Sequence, residues 1–237
     1  MLVACDDRGG MSRVESPTFV ERVVAPRTPG PGAPPLLVLL HGIGADENDL
    51  LPLAHVLDPR LSVVGLRAPR PYQVGYAWFH IDWTADGSVV PDVAQARETL
   101  GDLLRWVAAA PARLGTDPGR LYLLGFSQGA MMSLGVLGTT PELLAGVIAL
   151  SGRNIDRLFD APATPDAIAR VPLFVAHGTY DDLLPLANGR GIRDRLEPLV
   201  RDFTYREYAV AHGIADDEVR DVAAWLRERL DTASRPR

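Results

Sequence analysis

Residues 123–132, LLGFSQGAMM, set a polar Ser-Gln pair between an apolar run and a run of small residues. One glycine stands two positions before the serine and another two positions after it. The preceding LYLLG, at 121–125, has the unbroken apolarity of a strand covered on both faces, and QGAMMSLGVL after it suits a helix. A serine at such a strand-to-helix turn takes a strained backbone conformation, and the flanking glycines let neighbouring segments pack close against it. The hydroxyl is lifted clear of the backbone, and the N–H groups of a helix start are aimed at any oxyanion formed nearby. G-x-S-x-G alone arises often by chance. Between this strand and this helix it makes Ser127 a candidate nucleophile.

The same kind of run recurs along the chain: LLVLL at 36–40, LSVVGL at 61–66, GVIAL at 146–150 and PLFVAHG at 172–178, with a further strand candidate at 19–24. Helical period separates them. In 92–110 the apolar positions Val93, Ala96, Leu100, Leu103 and Val107 fall three or four apart, and Val219, Val222, Leu226 and Leu230 repeat the stripe near the end. Strands alternating with helices predict one α/β domain with a mostly parallel central sheet flanked by helices. Its expected extent is 18–231, with 1–17 as a disordered N-terminal extension, Met11 as a second candidate start and 232–237 as a frayed tail.

Composition removes several classes of function. The 237-residue chain is 47% hydrophobic and carries a net charge of -6 without any basic cluster, so a nucleic-acid partner is not expected. Every one of the 24 basic residues is arginine. With no lysine there is no Schiff base, no Ser-Lys dyad and no phosphate-loop lysine. The one cysteine, Cys5, cannot form an internal disulfide, which fits a reducing, cytoplasmic setting. No apolar run reaches membrane-spanning length, and the opening MLVAC lacks the charged start and apolar stretch of a lipoprotein signal, so no stable membrane insertion is expected. No His or Cys pair has ligand spacing; neither a metal nor a cofactor is expected.

A serine needs a base, and a base needs an acid to orient it. His41 and His177 each end an apolar run and precede a glycine, as loop-organising residues do. His55 falls in a helical stretch and His80 in an aromatic loop. His212, in AVAHGIAD, follows the last strand candidate and precedes the last helix, which makes it the candidate base. HGTYDDLLP supplies two candidate acids, Asp181 and Asp182, one of them a solvated neighbour or helix cap. The resulting Ser, Asp, His order is that of α/β-hydrolases and differs from those of chymotrypsin and subtilisin. Oxyanion donors are expected from the Gln128 backbone N–H and from the loop HGIGADENDL, with Ile43 the candidate there.

These segments resemble the phospholipase/carboxylesterase family, which includes acyl-protein thioesterases and bacterial carboxylesterases. The likeness is carried, in order, by HGIGADENDLLPLA, APRPYQVGYAWF, GFSQGAMM, HGTYDDLLPL and AHGI, and spans roughly 36–230. It implies an α/β-hydrolase fold with minimal or no cap domain. It also implies Ser127 as nucleophile, His212 as base, Asp181 rather than Asp182 as acid, and Ile43 and Gln128 as oxyanion donors. The loop RAPRPYQVGYAWFHIDW would line the substrate pocket, with Tyr72, Tyr76, Trp78 and Phe79 as its apolar wall. Family members commonly carry aspartate directly after the Trp-aromatic pair; here His80 stands there, with Asp82 two positions on.

The expected function is that of a serine carboxylesterase cleaving esters, thioesters or lysophospholipids through an acyl-enzyme. Its partner would be a small-molecule ester or acyl substrate, and a homodimer is compatible with the chain. Two alternatives stand beside it. A dienelactone-hydrolase-like enzyme is disfavoured by serine in place of cysteine at the elbow. The other is a non-catalytic ligand-binding protein on the same scaffold.

Overall fold

Each apolar run forms a strand of one sheet. A computed structural model describes residues 19–84, 89–154 and 163–233. Its strands, in chain order, are β1 (Glu21–Val24), β2 (Leu36–Leu40), β3 (Ser62–Leu66), β4 (Arg70–Tyr72), β5 (Gly75–Ala77), β6 (Ile81–Trp83), β7 (Val89–Pro91), β8 (Leu121–Phe126), β9 (Gly146–Leu150), β10 (Leu173–Gly178) and β11 (Phe203–Tyr208). The helices are α1 (Val93–Leu114), α2 (Gln128–Thr139), the single turn α3 (Pro165–Ile168), α4 (Ala187–Leu196) and α5 (Asp216–Ala233). The expected extension 1–17 and the end of the tail lie outside the described residues.

The main sheet runs β1-β3-β2-β8-β9-β10-β11, with β1 antiparallel to β3 and the other neighbours parallel. From β2 the chain first moves outward to β3 and then returns past β2 to β8. The direction therefore reverses between β2 and β8, the place where open α/β sheets hold their ligands beyond the carboxyl ends of the strands. Leu40 pairs with Gly125, and Gly125 with Ala149, so the loops after β2, β8 and β9 leave the sheet side by side.

Strand side chains alternate between two cores. Leu36, Val38 and Leu40 face Ala96, Leu100, Leu103 and Val107 of α1. Leu37 and Leu39 face the opposite way, with Val222, Trp225, Leu226 and Leu230 of α5. Both helical stripes are thus buried, on opposite faces. Helix α1 starts at the expected place, where the Asp92 side chain accepts the Gln95 N–H at 3.0 Å, and runs four residues beyond the expected end to a left-handed Gly115.

Three features depart from the expectation. β11 reads FTYREY and is only partly buried, because it is the sheet edge. Residues 70–83 and 89–91 form two antiparallel strand pairs, β4 with β5 and β6 with β7. His55 ends a short 3-10 turn, Leu51–His55, and is exposed as expected. Among the described residues the connections hold these strand pairs and the single turn α3, but no separate cap domain.

Glu218, in the first turn of α5, is buried. Its Oε2 accepts the Ala215 N–H at 3.2 Å, and Oε1 has no partner among the described residues. Burial pushes its pKa up to about 7. The folded state thus holds the proton more tightly than the unfolded chain. The associated stability is complete below the normal glutamate pKa and is lost as pH rises toward 7, a change of about 3 kcal/mol at most. Glu218→Gln is expected to be more stable than wild type at pH 8 and to flatten the stability profile between pH 5 and 7. Urea titrations at the two ends check this; an unchanged profile in the variant would refute it.

Candidate active site

Ser127 sits between β8 and α2 with φ +55° and ψ -116°, a region that side chains other than glycine seldom occupy. Two backbone bonds hold it there: its N–H donates to Leu150 O at 2.9 Å, and its carbonyl accepts the Met131 N–H at 3.2 Å. The flanking glycines answer a steric demand. A methyl group at position 129 would fall on the Leu40 carbonyl oxygen and lie 2.5 Å from its carbon. One at position 125 would fall on the Gly129 carbonyl and lie 2.5 Å from the Ala130 nitrogen. Helix α2 therefore starts in backbone contact with both β2 and β8.

The late loops bring two further side chains to this turn. His212 Nε2 lies 3.0 Å from Ser127 Oγ, and His212 Nδ1 lies 2.7 Å from Asp181 Oδ2. A carboxylate only accepts, so Nδ1 carries the hydrogen and Nε2 is left to accept the serine hydroxyl. The other oxygen of Asp181 accepts the Leu183 N–H at 3.1 Å and the Leu184 N–H at 2.8 Å. Asp182 is exposed and takes no part in this chain of bonds. The Phe126 ring, 5.0 Å from the imidazole of His212, packs against it.

The two histidines read as loop organisers make such contacts. His177, fully buried, donates from Nε2 to Leu184 O at 2.7 Å and so closes the turn that carries Asp181. His41 Nε2 accepts the Ala68 N–H at 3.0 Å while Nδ1 donates to Gly42 O at 2.6 Å. That pattern needs the neutral ring, and burial lowers the pKa of His41 accordingly. The loop after β2 is further pinned by Glu47, whose buried carboxylate takes two bonds from Arg67, Nε at 2.5 Å and Nη2 at 2.7 Å. The Arg67 guanidinium holds the Glu47 carboxyl below its ordinary range.

Ser127, Gln128 and Ile43 line one cavity of about 250 Å³, together with Tyr72 and Phe79. The side chain of Gln128 reaches away from Ser127 to the wall: Oε1 accepts the Trp78 N–H at 3.0 Å and Nε2 donates to Phe79 O at 2.9 Å. Of the four expected wall aromatics, two do not reach the cavity. Trp78 is fully buried behind it, donating from Nε1 to His41 O at 2.8 Å and packing against Phe19. Tyr76 lies under the Arg67 guanidinium, 4.5 Å from it, and its hydroxyl accepts from Arg67 Nη1. His80 is exposed, its N–H bonded to Gln95 and its carbonyl to the Asp92 N–H, which ties the strand pairs to α1.

The sequence reading missed Met131, Leu183, Leu184, Pro91 and Arg153 as lining residues; Ile81, which also lines the cavity, falls in the loop expected to do so. Met131 could have been found, since it stands four positions after Ser127 and so on the same helical face. Leu183 and Leu184 follow Asp181 by two and three positions. Nothing in the sequence marks Arg153. Among the described residues no cluster of metal-ligating side chains occurs, and no helix is long and apolar enough to cross a membrane.

The structure superposes on the Bacillus cereus carboxylesterase with a TM-score of 0.76, covering 89% of this chain and 94% of that one at 22% identity. On esterase PE8 the TM-score is 0.74, with 89% and 98% covered at 28% identity. These are α/β-hydrolase folds, and so is this one. In sequence, the chain is 27% identical over 227 residues to acyl-protein thioesterase 1 of Cryptococcus neoformans var. neoformans, spanning 82% of this chain and 92% of that protein. It is 25% identical over 169 residues to acyl-protein thioesterase 1 of Yarrowia lipolytica, spanning 70% and 71%. The sequence profile of one family matches residues 20–230, nearly everything from the first strand to the last helix. With that extent of match, the chain belongs to the phospholipase/carboxylesterase family.

Proposed function

We propose that Ser127, His212 and Asp181 form the catalytic triad of this hydrolase, with the backbone N–H groups of Gln128 and Ile43 as its oxyanion donors. The family and its relatives make the protein a serine hydrolase acting on esters or thioesters. The observation that supports the residue assignment is the position of His212, within hydrogen-bonding distance of both Ser127 Oγ and Asp181 Oδ2.

In the proposed reaction Ser127 Oγ attacks the carbonyl carbon while its proton passes to His212 Nε2. The imidazolium is stabilised by Asp181 through Nδ1–H. Negative charge on the former carbonyl oxygen is met by the Gln128 and Ile43 N–H groups, in a site closed by Phe79, Met131 and Leu184. His212 then gives its proton to the departing alcohol or thiol, leaving an ester on Ser127. Water, activated by the same imidazole, releases the acid. Tyr72 and Phe79 face the substrate, and Trp78 and Tyr76 brace that wall from behind.

The substrate is a small carboxylic ester or acyl thioester, and the compartment is the cytoplasm, in keeping with a single cysteine that forms no internal disulfide. A fluorophosphonate probe tests the assignment. Wild type is expected to be labelled covalently, and Ser127→Ala to fold without taking label. Folded wild type that stays unlabelled would point to a receptor on a hydrolase scaffold.

A further inference from the structure

Within the cavity beside Ser127 one lining residue breaks the apolar pattern. Among the described lining residues Arg153 is the only charged side chain, in the company of Ile43, Phe79, Met131 and Leu184. Two backbone features carry it there. Ser151, directly after β9, has φ +48°, a second strained non-glycine turn beside the one at Ser127. Gly152 then passes so close to α2 that an added methyl group would lie 2.8 Å from Ala130 Cβ. Strained residues of this kind persist where the surrounding structure holds them, often at ligand sites, and Arg153, two positions after Ser151, lines the same cavity as Ser127.

We infer that Arg153 recognises an anionic group on the substrate, so that the preferred esters or thioesters carry a carboxylate or phosphate on their acyl or alcohol part. Arg153 is already engaged within the protein. A guanidinium offers five N–H donors, enough for a structural contact and a forked bond to a carboxylate as well. Partial burial removes water from it and lowers its pKa, though arginine stays charged. A cation poorly served by water among apolar walls gains most from a ligand anion. Among the described residues no lining side chain supplies a negative charge.

The inference rests on Ser127 being the nucleophile, and the test separates the two. kcat/KM is compared for mono-p-nitrophenyl adipate against p-nitrophenyl hexanoate, and for 3-carboxy-4-nitrophenyl butyrate against p-nitrophenyl butyrate. The first pair places the charge on the acyl side and the second on the alcohol. Arg153→Met is expected to lower the charged-to-neutral ratio about ten- to a hundredfold in one pair, the range for losing a hydrogen bond to a charged group. Arg153→Lys should retain part of it. Reading a ratio within one variant cancels any general loss of activity. A ratio unchanged in both pairs, in protein that takes the fluorophosphonate label, overturns the inference and leaves the hydrolase assignment standing. Should the variant not fold, or wild type not turn over esters, calorimetry on wild type asks the same question with adipamate against hexanamide and 3-hydroxybenzoate against phenol. At least tenfold tighter binding of the anion in either pair supports the inference, and equal binding in both overturns it.

Discussion

Asparagine at position 181 is expected to lower kcat by about 10⁴, the effect known for the same exchange in serine proteases, whereas Asp182→Asn stays within a few-fold of wild type. The size follows from the bonds around the carboxylate. One oxygen is held by the Leu183 and Leu184 N–H groups, so the asparagine carbonyl must take that place. Its NH₂ then faces His212 Nδ1, where a hydrogen-bond donor is presented to a nitrogen that was itself the donor. The imidazole answers by moving its hydrogen to Nε2, which can no longer accept from Ser127. Shape is kept and the base is lost, about 5 kcal/mol of barrier. Asp182, exposed and outside this chain of bonds, has no such leverage. Steady-state kinetics on a p-nitrophenyl ester decides between them; equal losses, or the reverse ranking, would remove Asp181 as the acid.

Gly129→Ala should cost more than about 4 kcal/mol, enough to abolish soluble folded protein. The added methyl group meets the Leu40 carbonyl and lies 2.8 Å from the His41 oxygen, and all of these are backbone atoms that no rotamer change can clear. Gly125→Ala collides with the first residues of α2 in the same way. Gly191, in α4, is the contrast: an added Cβ there has nothing within 4 Å. Gly191→Ala should therefore stabilise the protein by roughly 0.5–1 kcal/mol through helix propensity and reduced unfolded-state freedom. Soluble yield and urea midpoints for the three variants provide the comparison. A wild-type midpoint for Gly129→Ala would mean that the interlock between α2 and β2 is not as close as described.

Parts of this molecule were legible in the sequence because burial on both faces leaves an unmistakable mark. The runs at 36–40, 121–125 and 146–150 are all strands of the sheet, and the stripe from Ala96 to Val107 is the buried face of α1. β11 escaped because an edge strand is only half covered, so FTYREY mixes polar and apolar residues. The strand pairs β4–β5 and β6–β7 escaped because their strands are three residues long, too short for any period to show. The site divides along the same line. Ser127 was singled out by its glycines and His212 by its place in a late loop, and the structure puts the two side chains 3.0 Å apart. Asp181 and Asp182 were not separable from spacing alone; the two bonds that Leu183 and Leu184 donate to Asp181 depend on how the turn closes. Among the aromatics, composition could not say that Arg67 would occupy Tyr76 or that His41 would draw Trp78 inward. Arg153 left no trace, and the positive φ at Ser151 two positions before it is a property with no sequence signature.

One bond pair has a wider consequence. Gln128 is the immediate neighbour of Ser127, and its amide grips the backbone of Trp78 and Phe79. The Ser127 turn and the aromatic wall are thereby fastened as one piece, so the distance between them cannot be tuned by letting the loop breathe. Substrate range in this enzyme must be altered by exchanging side chains such as Tyr72 or Leu183, which project into the cavity from segments outside that clamp. Redesign aimed at position 128 would disturb selectivity and turnover in a single stroke.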